Sequence, residues 1–232
     1  AAAAEPAARE ETPALEAGVS ASAGSRDYWR IGGSADVWWT LKTAEPFLWT
    51  AYGGGSNGRQ GSLGGGSWFN LDARSRVKAG LSLNFGRLAD SDDTTSSVGL
   101  EAGAERDFDG KVAGGEYRYT RGAIIGARGP ASLSETQRER GTGRGRRGAS
   151  DAISEDFTYH ELAAYGSVPA GPARLGLELA IGFPSYSEAI LAATARARLP
   201  ITEALAARLA LTLESGARSG VYGTAGLSYT FR

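Results

Sequence analysis

The stretch "EAILAATARARLPITEALAARLALTLE", residues 188–214, decides the fold. Its Ala, Leu, Arg and Glu are good helix formers, so propensity alone predicts helix. Periodicity predicts something else. Wound at about 100° per residue, Arg208 and Thr212 would sit among Leu205, Leu209 and Leu213. At about 180° per residue the leucines separate from Arg208, Thr212 and Glu214. Ala189, Leu191, Ala193, Ala195, Ala197 and Leu199 likewise oppose Thr194, Arg196 and Arg198. Pattern generally outweighs propensity where the two compete, so the stretch reads as two strands joined at "PITE".

The same alternation runs outward from there. In "ARLGLELAIGF", Leu175, Leu177, Leu179, Ile181 and Phe183 oppose Arg174, Gly176, Glu178, Ala180 and Gly182. In "RVKAGLSLNF", Val77, Ala79, Leu81, Leu83 and Phe85 oppose Lys78, Gly80, Ser82 and Asn84, and Trp29, Ile31, Val37, Trp39 and Leu41 oppose Arg30, Ser34, Asp36 and Thr40. The segments fall near 14–24, 28–41, 46–53, 64–73, 76–87, 96–107, 111–126, 156–168, 172–183, 188–199, 204–214 and 221–231. That predicts about twelve antiparallel strands, with ten as the alternative if the N-terminal assignment fails. In 156–168, Phe157, Tyr159 and Tyr165 share a parity with Glu161, which predicts a bulge there.

Which parity is apolar, and what the other one carries, separates a soluble sandwich from a barrel in lipid. The apolar parity persists through nearly every segment and ends on aromatics such as Trp29, Trp39, Tyr117, Tyr119, Phe183, Tyr229 and Phe231, as interfacial girdles require. The opposite parity carries Arg30, Asp36, Lys78, Glu101, Glu105, Glu116, Arg118, Arg174, Glu178, Arg196, Arg198, Arg208 and Glu214, spaced by small residues. The expected fold is therefore all-β, an antiparallel transmembrane β-barrel with those charges lining its lumen. A basic ladder of Arg174, Arg196, Arg198 and Arg208 would face an acidic wall of Glu101, Glu105 and Glu116.

Connections are expected to alternate too: tight at "KTAEP", "DARS", "DFDG", "PAGP" and "PITE", longer at "GGGSNGRQGSLG", "RLADSDDTTSS" and 128–155. Short periplasmic turns and long external loops are the barrel rule. The expected organisation is a flexible segment at 1–12 and a single barrel over 13–232, with an external Arg-rich loop at about 128–155. That loop holds Arg138, Arg140, Arg144, Arg146 and Arg147, suited to phosphate or carboxylate groups.

Composition removes other classes. The chain of 232 residues has formal net charge -1, which gives no field for nucleic acid. Its 34 glycines with only 8 prolines point to glycine within structure rather than to collagen or a Pro-rich coil. Absence of Cys excludes disulfides and thiolate chemistry, and a single His removes most catalytic and metal constellations. No cofactor, metal site or enzymatic activity is expected. "GGSNG" at 54–58 matches a nucleophile elbow only in letters, because an elbow needs a strand-to-helix turn and a His partner. "GRGRRG" at 143–148 lacks the strand and helix that a dinucleotide fingerprint requires.

The ending "GLSYTF", residues 226–231, resembles the C-terminal signal of bacterial outer-membrane proteins, with Leu227, Tyr229 and Phe231 as its alternating apolar positions; here Arg232 follows the final aromatic. The resemblance implies recognition by the barrel-assembly machinery and residence in the outer membrane. Residues 45–87, "EPFLWTAYGGGSNGRQGSLGGGSWFNLDARSRVKAGLSLNFGR", resemble membrane-barrel portions of large surface proteins. Strand count and length resemble small twelve-stranded porins for acidic oligosaccharides. His160 in "FTYHELAAYG" is comparable to the histidine of outer-membrane phospholipases and lipid A deacylases, but their serine two residues on is Leu162 here. The expected function is a pore for small polar or anionic solutes, with lipopolysaccharide and other envelope proteins as neighbours; the alternative is a non-conducting barrel that anchors an envelope assembly.

Overall fold

A computed structural model describes residues 13–126 and 153–231, apart from Arg26, Asn57, 90–92, Tyr186 and 217–218. Twelve strands follow one another: β1 (Pro13–Gly24), β2 (Trp29–Trp39), β3 (Ala44–Gly55), β4 (Gly58–Asn70), β5 (Ser75–Arg87), β6 (Thr94–Phe108), β7 (Lys111–Gly126), β8 (Ile153–Ala170), β9 (Ala173–Pro184), β10 (Ile190–Pro200), β11 (Leu205–Ser215) and β12 (Gly220–Phe231). Each pairs antiparallel with its sequence neighbours, and β1 closes on β12 from Leu15↔Phe231 to Gly24↔Tyr222. The contested stretch forms two strands in register from Leu191↔Ser215 to Pro200↔Ala206, joined by a turn at 201–204.

The burial pattern is inverted relative to a soluble protein. Among the described residues the buried apolar side chains are only Ala163, Pro184 and Ala206, whereas Glu16, Ser82, Asp93 and Ser228 are buried polar residues. The large apolar residues face outward: Leu177, Leu179, Leu209 and Leu211 are each half exposed or more. A soluble barrel with that surface would aggregate, so the outer face is built for hydrocarbon. On β5 and β9 the apolar parity runs from Val77 to Phe85 and from Leu175 to Phe183. At roughly 3.3 Å per residue and ~40° of tilt, each run spans on the order of 20 Å, close to the apolar band of such barrels.

Aromatics frame that band. Trp39, Phe69, Phe108, Tyr229 and Phe231 lie on the outward parity near the chain-terminus end, and Trp29, Tyr52, Phe85 and Phe183 near the other. At the terminus end the connections are 40–43, 71–74, 109–110, 171–172 and 201–204. The turn at 71–74 is held by Asp72, whose carboxylate accepts N–H bonds from Arg74 and Ser75, both at 2.7 Å. Those donors keep this exposed carboxyl below the usual carboxylate range.

The expectation for the opposite end needs correction. "GGGSNGRQGSLG" is not a long loop: β3 runs to Gly55 and β4 resumes at Gly58, leaving a two-residue turn. Its glycines are strand residues that make room for rings. A Cβ on Gly64 would lie 2.6 Å from the Trp49 ring, and one on Gly61 would overlap Phe85. Nor does β8 bulge. It pairs without interruption with β7 and β9, so Phe157, Tyr159 and Tyr165 lie inside with Glu161. The connection after β7 spans 127–152; it and residues 1–12 lie outside the described residues, together with Arg138, Arg140, Arg144, Arg146 and Arg147.

Two outcomes test this architecture. The protein should require detergent, show sheet-type circular dichroism and migrate differently on gels before and after boiling. Gly64→Val should displace Trp49 and lower unfolding stability in micelles by ~1–3 kcal/mol, read from urea denaturation.

Candidate functional site: the inner face of the barrel

The inner face is identified by contacts that skip a strand, which only a concave surface permits. Arg76 of β5 reaches Glu45 of β3 at 2.6 Å, Lys78 of β5 reaches Glu116 of β7 at 2.8 Å, and Tyr165 of β8 donates to Glu105 of β6 at 3.0 Å. Arg198 of β10 reaches past two strands to Glu16 of β1 at 3.2 Å. From these, period-two alternation places Arg30, Asp36, Lys78, Glu101, Glu105, Glu116, Arg118, Arg174, Glu178, Arg196, Arg198, Arg208 and Glu214 on the inner parity. Leu227, Tyr229 and Phe231 are on the outer parity of β12.

One sector is basic. Arg174, Arg198 and Arg208 face each other directly on β9, β10 and β11, through Arg198↔Arg174 and Arg198↔Arg208. Like charges directly opposite are unfavourable on a sheet, and here two of the three are offset by one shared carboxylate and partial exposure. Arg208 and Arg198 share Glu16, which is buried, and Arg196 pairs with Glu178 at 3.0 Å. Arg174 donates to Ser167 Oγ at 2.9 Å and to the Gly110 carbonyl at 3.1 Å. All four guanidiniums line one cavity of about 480 Å³. A second cavity of about 550 Å³ at the chain-terminus mouth shares Tyr165, Ser167 and Arg174 with it.

The facing sector departs from the expected acidic wall. Glu101 and Glu116 both hold Lys78, at 3.0 and 2.8 Å; Glu105 and Glu45 hold Arg76. Arg118 bridges Glu116 at 2.5 Å and Glu161 at 2.6 Å, and Tyr159 donates to Glu161 at 2.8 Å. The carboxylates are thus threaded by cations, because strands two apart bring the long basic side chains within reach. Across β3–β8 three cations meet Glu45, Glu101, Glu105, Glu116 and Glu161, leaving an acidic excess. In the sector from β9 to β1 four arginines share the inner face with Glu16, Glu178 and Glu214, leaving a smaller basic one. β5 and β11, at the middle of the two sectors, are six steps apart either way round the ring, so the two excesses confront each other across the interior.

Sequence reading missed Glu16, Glu45, Arg76 and Glu161 as inward charges and Phe47, Trp49 and Trp68 as inward aromatics. Trp68 lies under Arg76, with the guanidinium carbon 4.4 Å from the ring centroid. Alternation from Leu48, Thr50 and Tyr52 could have found Phe47 and Trp49. The apparent nucleophile pair is not assembled: Ser56 bonds the Trp29 backbone, while His160 is on the outer face of β8, its Nδ1 2.8 Å from Tyr117 Oη. Among the described residues no group of side chains is arranged to hold a metal ion.

These features define a twelve-stranded barrel of the bacterial outer-membrane type. No protein-family model and no curated protein matches the chain. Solved structures do. The NanC porin superposes with TM-score 0.65 at 9% identity, covering 92% of this chain and 98% of that one. The KdgM porin in complex with disordered oligogalacturonate gives 0.62 at 10% identity, covering 94% and 99%. The translocator domain of autotransporter NalP from Neisseria meningitidis gives 0.54 at 13%, covering 96% and 90%. At such identities the likeness is one of fold, and that fold is the porin barrel.

Glu16→Ala would leave Arg198 and Arg208 side by side without their shared carboxylate. It should destabilise the barrel by ~1–3 kcal/mol, less than a fully buried pair would because both arginines are half exposed. Glu16→Ala combined with Arg208→Ala should recover part of that loss; the measurement is unfolding in micelles.

Proposed function

We propose that the barrel is an outer-membrane pore passing small polar solutes, with preference for anions. The observation that carries this reading is the row Arg174, Arg198 and Arg208, with Arg196 beside it, lining a cavity that adjoins the chain-terminus mouth. Guanidinium is the side chain best suited to carboxylate and phosphate, because its planar fork matches their oxygens in two parallel bonds. The ring of strands sets the width of the passage, and the facing basic and acidic excesses set a transverse field within it. An anion entering this field is drawn to the arginine side and repelled from the carboxylate side. Three arginines at successive strands let it pass from one to the next, so that each contact is released as another forms.

The likeness to a porin solved with oligogalacturonate, a polyanion, supports the same solute class. Lateral pairing supports an open passage as well: the described ion pairs join side chains on strands close together along the wall. A barrel plugged by its own charges would instead pair them across the diameter.

Planar-bilayer recording tests the proposal. The wild-type barrel should give steady conductance with anion preference, and Arg198→Glu with Arg208→Glu should shift the anion-to-cation permeability ratio toward cations by about twofold or more. Electrical silence of a correctly folded barrel would overturn the pore and leave the anchoring role.

A further inference from the structure

The outer face of the barrel carries its own arginines, and they are not spread evenly. On the outward parity, Arg87 stands one step beyond Phe85 on β5, Arg121 one step beyond Tyr119 on β7, and Arg59 one step beyond Gly61, the partner of Tyr52, on β4. Each is thus just past the aromatic girdle, at the end remote from the chain termini. No connection at the terminus end exceeds four residues, whereas the arginine end carries 88–93 and 127–152, which makes it the external one. Headgroups of the outer leaflet occupy that level. On other strands the same step is taken by residues without positive charge: Ser185 beyond Phe183, Ser215 beyond Leu213, Asp27 beyond Trp29. Among the described strand residues, the outward basic charge at this end is confined to one sector, β4 to β7.

Within that sector the arrangement is specific. Arg59 and Arg87 are direct cross-strand partners, so two guanidiniums emerge side by side on the outer face. Immediately below them the Phe85 ring folds over Gly61, which has no side chain to hold it off, and lies against the sheet as a flat apolar shelf. On the next strand Thr94 pairs with Arg87 and Ser96 with Phe85, which adds hydroxyls beside both. Arg121, 69% exposed and 4.0 Å from the outward Asp156 of β8, stands on the far side on β7. Cations above, a ring surface below and hydroxyls between match a molecule that carries phosphate on a sugar ring and acyl chains beneath it.

We propose that Arg59, Arg87 and Arg121, with the Phe85 shelf, form a docking site for a phosphorylated glycolipid of the outer leaflet. The guanidiniums take the phosphate in charge-assisted hydrogen bonds, strengthened where the adjoining hydrocarbon lowers the dielectric. The sugar ring rests on Phe85, and the acyl chains continue down the leucine face of β5 and β6. One sector of the barrel would thereby be held by a fixed annulus of lipid. This site is separate from the interior arginines, so it stands or falls independently of conductance.

The test is native mass spectrometry of the folded full barrel with diphosphoryl lipid A and with the same lipid dephosphorylated. Wild type should retain the phosphorylated form at least about tenfold more tightly, and a large excess of inorganic phosphate should not displace it. Arg59→Gln with Arg87→Gln should abolish that preference. Arg59→Lys with Arg87→Lys should keep most of it, and Arg106→Gln, at the opposite rim, should change nothing. Heat-modifiable gel mobility checks that each variant is folded. Equal retention of the two lipids by wild type, or an unchanged preference in the glutamine variant, would overturn the proposal. Displacement by inorganic phosphate would also overturn it, by identifying a free-anion site in place of a lipid one.

Discussion

In hydrocarbon there is no water to satisfy a peptide group, so a chain can cross only if every backbone N–H and C=O finds a partner within the protein. A β-sheet meets that condition everywhere except at its two edges, and closure removes the edges. Here the pairing of β1 with β12 does so over ten residue pairs. The first and last strands of the described chain are therefore the joint on which the other eleven pairings depend. That joint is also braced from inside. Glu16 on β1 reaches past β12 to Arg208 on β11 and Arg198 on β10, tying both sides of the seam with one buried carboxylate.

Closure leaves an interior that must be filled without an apolar core, and the chain fills it in two ways. Aromatic rings lie flat on glycines of the neighbouring strand: Trp49 on Gly64, Tyr165 on Gly114, Tyr159 on Gly182. Each glycine is a recess that lets a bulky ring hug the wall instead of standing into the passage. The tyrosine hydroxyls then bond Glu105 and Glu161, which the arginines also hold. Ring, carboxylate and guanidinium thus form one layer along the wall. Among the described residues, these strand glycines serve packing rather than turns.

The exterior was legible in the sequence because a strand in lipid alternates strictly, and the leucines of β9 and β11 fixed its period even where propensity favoured helix. The interior was less so, for a physical reason. In β3, Phe47, Leu48 and Trp49 place apolar residues on both parities, and the glycines on either side of Ser56 look like a loop until the rings they accommodate are known. The ion pairs were hidden for another reason. Lys78 and Glu116, or Arg198 and Glu16, meet because of the stagger between strands that are not adjacent. That stagger belongs to the closed barrel, and no window of sequence contains it.

Stability does not account for the arginine row, which the proposed pore would use. A surface ion pair adds little, and three arginines in direct register oppose one another, so a barrel selected only to stand would lose nothing by replacing two of them with Ser or Thr. Thr194 and Thr212 already make that exchange two inward steps higher on β10 and β11, where their hydroxyls bond each other at 3.0 Å. The wall thus holds, on the same two strands, both the neutral solution that satisfies the sheet and the charged one that does not. What distinguishes them is position: the arginines, and not the threonines, line the cavity that adjoins the terminal mouth. Repulsion tolerated at that place, and relieved only partly by Glu16, leaves guanidinium capacity that the proposed anion pore would use.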